Sequence, residues 1–169
     1  MIIRQLLAGD ASAFQALRLS GLLEFPSAFS SSYAEEVETP LSAIAEQLSP
    51  GPGGAVFGAF HDGLMGVVGI QRDRRRLHSH KALLWGMYVT AEHRSKGVGR
   101  LLVARALQHA GENLRSRSVN LRVNAANHAA IALYEAMGFT IYGTESGSLM
   151  VDGDLHDEHL MSWVNSGIA

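Results

Sequence analysis

The chain contains no cysteine. That excludes disulfides, thiolate nucleophiles and every zinc site built on sulfur, and it leaves the redox compartment open. No apolar run approaches the roughly 18 residues that a membrane-spanning helix needs, so no membrane partner is expected. The N-terminus lacks a basic segment followed by an apolar one, so no secretory leader is expected and a cytoplasmic setting is the default. No GxxxxGK[ST] pattern occurs, which sets aside a P-loop nucleotide enzyme. The net charge of -2 gives no sign of a nucleic-acid partner. His78-x-His80 and His156-Asp157-x-His159 lack a third ligand in a fixed frame, so no metal is expected.

What the chain does have is ordinary for a soluble enzyme or binding protein. Its 169 residues fit one domain, residues 1–169, and 47% are apolar. Charge is uneven: Arg72, Arg74, Arg75 and Arg76 form a basic knot, and Glu35, Glu36 and Glu38 an acidic one. Asp10 reads as the cap of a first helix over Ala11–Leu23, after a short strand at Met1–Leu6. Residues 27–33 are rich in serine and aromatics without clean periodicity. A second helix is predicted over Pro40–Leu48, with proline in its first turn.

Strand patterns follow. Ala55–Phe60 and Leu64–Ile70 flank His61-Asp62-Gly63, a hairpin signature in which Asp-Gly suits positive φ. Lys81–Val89 is a further strand after a polar loop over Arg72–Ser79. A helix over Gly97–Asn113, a strand over Val119–Val123 and a helix over Asn127–Met137 come next, with Gly138 as C-cap. Phe139–Thr144 starts another strand. Leu149–Val151 and Glu158–Val164 pair around Asp152-Gly153-Asp154. Hairpins plus one strand–helix–strand crossover predict an α+β class, with helices layered on a mixed sheet.

Between the strand ALLWGMYV and the helix GRLLVARALQHAG lies RSKGVG, residues 94–99. Gly97 and Gly99 bare the backbone at a helix start, where free N–H groups and the helix dipole favour an anion. Arg94 and Lys96 add positive charge. A glycine-rich helix entry without any ligand fits the same spacing.

The segment resembles the acyl-CoA pyrophosphate loop of the GNAT superfamily of N-acetyltransferases, Arg/Gln-x-x-Gly-x-Gly/Ala, with Arg94, Gly97 and Gly99 in its fixed places. VNAANHAAIALYEAMGFTIYG is similar to the same family's later block, and Asn124, Asn127, Ala130, Tyr134, Gly138 and Phe139 fall in register. The resemblance is best over residues 55–145. It implies a mostly antiparallel, splayed sheet flanked by helices, and acetyl-CoA as cosubstrate.

The resemblance also implies roles. Arg94, Ser95, Lys96, Gly97, Val98, Gly99 and Arg100 would hold the pyrophosphate. Met87, Tyr88 and Val89 would present backbone amides to the pantetheine arm and the thioester, beside a bulge at Gly86. Asn127 would contact the same arm, or simply cap its helix. Ala130 would leave room for the cofactor. Asn124 would serve the site or only its turn. Tyr134 would act as general acid toward the leaving thiolate, unless it only packs in the core. For the base, Glu24 is the first candidate, with Glu35, Glu36, His78, His80 and His128 behind it. A base is dispensable if the amine arrives deprotonated.

The expected reaction is acetyl transfer to a primary amine of a small molecule. The acidic knot suggests a cationic amine such as a polyamine or amino sugar. Acetylation of a protein N-terminus is a second reading, and a non-catalytic acyl-CoA-binding sensor a third. A homodimer through Leu155–Val164 is the expected form of any self-association.

Overall fold

Small and β-branched residues in GAVFGAF and LMGVVGIQR form two neighbouring antiparallel strands, β2 (Gly54–Phe60) and β3 (Leu64–Arg72). A computed structural model, which describes residues 1–167, places them near the centre of a seven-stranded sheet. The other strands are β1 (Ile2–Gln5), β4 (Lys81–Val89), β5 (Ser118–Asn124), β6 (Thr140–Val151) and β7 (Asp154–Val164). Their order is β1-β2-β3-β4-β5-β7-β6, and every pairing is antiparallel except β4 with β5. The helices are α1 (Ala11–Glu24), α2 (Tyr33–Glu36), α3 (Leu41–Leu48), α4 (Val98–Glu112) and α5 (His128–Ala136). The mixed α+β class expected from the element pattern is the one observed.

Side chains alternate across the strands, so the sheet buries two apolar layers. On one face, Leu102, Val103 and Ala106 of α4 pack on Phe57, Val68, Ile70, Leu84 and Val119. On the other, Phe14, Leu17 and Leu22 of α1 and Ile44 and Leu48 of α3 pack on Val56, Val67 and Tyr88. Beyond β4 the second face carries exposed groups, with Leu83, Arg122 and Tyr142 open to solvent.

Three local expectations change. Asp10 does not cap α1; its carboxylate accepts from the Leu7 N–H at 2.8 Å and pairs with Arg4. The His61-Asp62-Gly63 hairpin closes without positive φ, through Gly63 N–H donating to the His61 carbonyl at 2.8 Å. The left-handed Asp-Gly pair is instead Asp152 (φ 50°) and Gly153 (φ 89°), which turns β6 into β7. An unexpected helical turn, α2, forms at the end of the stretch that lacked periodicity; Ser32 and Glu35 cap it reciprocally.

Leu155–Val164, the segment expected in any self-association, lies in β7, which pairs with β5 over Glu158–Val164 and with β6 over Asp154–Ser162. The free edges belong to β1 and β6.

Trp85 of β4 sits flat against β3 because Gly69 has no side chain. A Cβ there would lie 2.1 Å from the Trp85 ring. Gly69→Ala should therefore cost about 1–3 kcal/mol of stability, as overpacking does. Urea unfolding with an unchanged midpoint would show that the ring is not confined there.

Candidate active site

The parallel pairing of β4 and β5 covers only Lys81–Leu83 against Ser118–Asn120. Both strands continue, to Val89 and Asn124, without pairing to each other. The sheet is therefore split, and backbone groups of β4 between Leu84 and Val89 face the gap. Near its start the β3–β4 register slips between Val67 and Gly69, and Gly86 adopts φ 64°. That is the bulge expected at Gly86; it bends β4 away from its neighbour.

At the far end of β4 the chain makes a short turn, Ala91–His93, and enters α4 through residues 94–97. Ser95 (φ 60°) and Gly97 (φ 79°) are both left-handed, and Gly97 occupies the N-cap position. Alternating hand aims successive N–H groups into a concavity suited to anions. Among the described residues, none of the N–H groups from Ser95 to Arg100 has a hydrogen-bond acceptor. Six consecutive free donors thus converge on the positive end of a 15-residue helix.

The two glycines do different jobs. Gly97 faces open space and is needed for its backbone angle. Gly99 is needed for closeness: a Cβ would lie 2.8 Å from Met87 Cε and 3.1 Å from Leu133 Cδ2. Through Gly99, α4 touches both β4 and α5 across the split.

Arg94 does not lend its charge to the loop. Its guanidinium pairs with both oxygens of Glu24 at 2.7 Å, and its Nε donates to the Val89 carbonyl at 2.9 Å. The Tyr88 hydroxyl donates to the same carboxylate at 2.6 Å. Hydrogen bonds from Arg94, then from Tyr88, hold the Glu24 carboxyl at about 2, while burial and then Glu24 push Tyr88 up to about 12. A carboxylate so depressed is a poor proton acceptor near neutrality. The geometry makes Glu24 a tether between the end of α1, the end of β4 and the glycine-rich loop. Lys96 and Arg100 are exposed and without ion pairs among the described residues, so they are the cations available beside the loop.

On the other side of the gap, Asn124 ends β5. Its Oδ1 accepts from the Ala126 N–H at 2.9 Å, and its Nδ2 donates to the Ser27 carbonyl at 3.0 Å. It thus serves its turn and also ties β5 to the segment after α1. Asn127 caps α5, accepting from the Ala130 N–H at 3.1 Å. Tyr134 is buried, with its ring edge-on to Phe139 at 5.7 Å. Burial raises its phenol well above the ordinary value, so the hydroxyl keeps its proton at any working pH. No group among the described residues bonds that hydroxyl.

Of the acidic residues near the end of α1 and in α2, two are matched by arginines, while Glu35 and Glu38 are exposed and have no ion pair among the described residues. Glu24 is paired with Arg94, Glu36 with Arg18 at 2.8 Å, and Glu35 caps Ser32. The open face beyond β4 forms a groove of about 460 Å³ whose wall includes Arg72, Arg74, Lys81 and Arg122. One residue escaped the sequence reading, Arg18, which lines a separate cavity beside α1 with Trp85, the candidate wall of the acceptor pocket. Its signal was a charged residue inside the apolar stripe Phe14, Leu17, Gly21 of α1.

A split sheet, a bulge beside the gap and an anion loop at its mouth define an acyl-CoA-type transferase scaffold. Residues 22–139 match the model of the acetyltransferase (GNAT) family. The chain belongs to that family. The fold is shared over nearly the whole length with solved structures. A GNAT-family acetyltransferase from Streptococcus pneumoniae has 24% identity and a TM-score of 0.86, covering 97% of this chain and 99% of that one. A putative acetyltransferase, yncA from Salmonella typhimurium, solved with its cofactor acetyl-CoA, has 21% identity and a TM-score of 0.85, covering 100% and 96%. A ribosomal-protein-alanine N-acetyltransferase from Brucella melitensis has 20% identity and a TM-score of 0.83, covering 98% and 100%. No curated protein matches the chain.

The tether carries a pH signature. Glu24's carboxyl lies below the ordinary 4.5 in the folded state, so its stabilisation is complete above that pH and is lost as pH falls toward 2. The pair is about one-third exposed, which limits its worth to no more than about 1 kcal/mol. Glu24→Gln should lower the melting temperature at pH 7, and the gap to wild type should close between pH 4.5 and 2. A gap that stays constant over that range would remove the tether.

Proposed function

We propose that the protein is an acetyl-CoA-dependent N-acetyltransferase acting on a primary amine of a small molecule. The observation that supports this best is the run of free N–H groups from Ser95 to Arg100 at the mouth of the β4–β5 gap. A pyrophosphate brings the oxygens those donors lack, with Lys96 and Arg100 beside them. Val98 and Gly99 supply donors from within the first turn of α4.

The gap fits the rest of the group. The open edge of β4, with Met87, Tyr88 and Val89, offers backbone partners to the amides of a pantetheine arm. Ala130 and the neighbouring face of α5 are short enough to let that arm pass, and Asn127 is held in place by its capping bond. The bulge at Gly86 turns a fixed N–H toward the gap, where a donor set in advance stabilises developing negative charge on a carbonyl oxygen.

Acetyl-CoA supplies the acyl group: the amine nitrogen bonds to the acyl carbon, the carbon–sulfur bond breaks, and sulfur takes a proton as it leaves. Tyr134 provides that proton or hydrogen bond, because its hydroxyl stays protonated and has no competing partner among the described residues. The proton lost by the amine goes to solvent, since Glu24 is held ionised by Arg94 and Tyr88. Glu24 acts on the reaction by fixing Arg94 and with it the anion loop.

Removing the Tyr134 hydroxyl tests this reading. Tyr134→Phe should lower kcat by about 10²-fold, the usual worth of acid–base help, and leave acetyl-CoA affinity unchanged. The readout is free-thiol release with an amine panel that includes N-terminal peptides. Unchanged turnover in a folded variant whose chemistry limits the rate would remove the acid role.

A further inference from the structure

Arg18 stands in the apolar stripe of α1 with its side chain only 10% exposed. Its Nε and Nη2 donate to Glu36 at 3.0 and 2.8 Å, and Nη2 also donates to Ser31 at 3.0 Å. The Phe29 ring lies 4.6 Å from the guanidinium. The group is therefore fixed. Its remaining nitrogen, Nη1, is buried and has no acceptor among the described residues. It faces the bulge of β4, where a Cβ on Gly86 would lie 3.4 Å from it.

Trp85, the residue before Gly86, is in the same condition. Its Nε1 is buried and without a partner. Both side chains line a cavity of about 240 Å³ between α1, α2, α3 and β4. Phe14 and Ile44 make part of its wall apolar, and Gln47 lies at the exposed rim. Two buried, unpartnered donors on side chains that line one cavity leave a need for oxygen, because unpaired buried N–H groups are costly.

Charge decides which oxygen. Glu36 already neutralises Arg18, and among the described residues no other charged side chain lines the cavity. A carboxylate would bring an uncompensated charge into a poorly solvated place. An ammonium group would set donors against donors. A neutral carbonyl oxygen accepts from both without adding charge.

We infer that this cavity is an acceptor subsite for an amide carbonyl, so that the amine acetylated here belongs to a carboxamide or peptide-like molecule. The inference rests on the acetyltransferase reading, which puts the reacting amine beside the Gly86 bulge. Arg18 and Trp85 are then specificity determinants: they read the amide oxygen and reject plain alkylamines.

The two tryptophans, Trp85 and Trp163, give two indole N–H signals in the ¹⁵N-labelled protein, and Trp85→Phe assigns them. The probes are glycinamide, glycine and ethylamine, each titrated into the full chain. Glycinamide should shift the Trp85 signal saturably and leave that of Trp163 in place. Its dissociation constant should be about tenfold below that of glycine or ethylamine, the scale of one hydrogen bond with charge assistance. A Trp85 signal indifferent to glycinamide, or answering glycine or ethylamine as strongly, overturns the inference. Acetyl-CoA added to the same samples reports separately through the amides of Ser95 to Arg100. If those stay still while the indole moves, the donor reading fails and the subsite stands; the reverse pattern defeats the subsite alone.

Discussion

Strands β4 and β5 hold each other through three residue pairs and then part, and the rest of the site follows from that separation. A sheet edge inside a protein exposes N–H and C=O groups that must find partners. Here β4 keeps β3 on one side over its length and has the gap on the other. The bulge at Gly86 sets the divergence, and Met87 and Leu133 meet over Gly99 where α4 spans it. A ligand with its own amide groups can fill such an edge; a side chain cannot do so without closing the gap.

The anion loop depends on the same separation, because it begins where β4 ends. Its shape is fixed from behind. Arg94 reaches back to Glu24 and to the Val89 carbonyl, so the one arginine of the motif orders the loop without facing into it. Affinity for an anion then falls on backbone donors, the dipole of α4, Lys96 and Arg100. The same helix reaches the bulge as well: Glu24 ends α1, and α1 carries Arg18 to Gly86.

Local features were legible in the sequence where a residue's own chemistry decides the backbone. Gly86 gave the bulge, Gly138 the helix end at φ 90°, and Asn127 the cap of α5. The hairpins, the crossover and the boundaries of α1, α3 and α4 followed from periodicity. Two Asp-Gly pairs looked alike, yet only Asp152-Gly153 turns left-handed, because strand pairing and not the dipeptide selects the turn. The capping pair Ser32 and Glu35 was present, but a single turn of helix leaves no period to detect. Contacts between distant residues were not legible. Glu24 and Arg94 lie 70 positions apart, and nothing in the sequence announced that they pair. The position of β7 between β5 and β6 is likewise a matter of topology.

The central claim is that the free N–H run entering α4 binds the pyrophosphate of acetyl-CoA. Isothermal titration of acetyl-CoA into wild type and Gly97→Glu tests it most directly, with circular dichroism to establish that the variant is folded. The side chain at position 97 would point into open space at the loop and place negative charge there. The account predicts a loss of affinity of at least about tenfold, the scale expected for opposing one charge at a helix N-terminus. Equal affinity in a folded variant would contradict it.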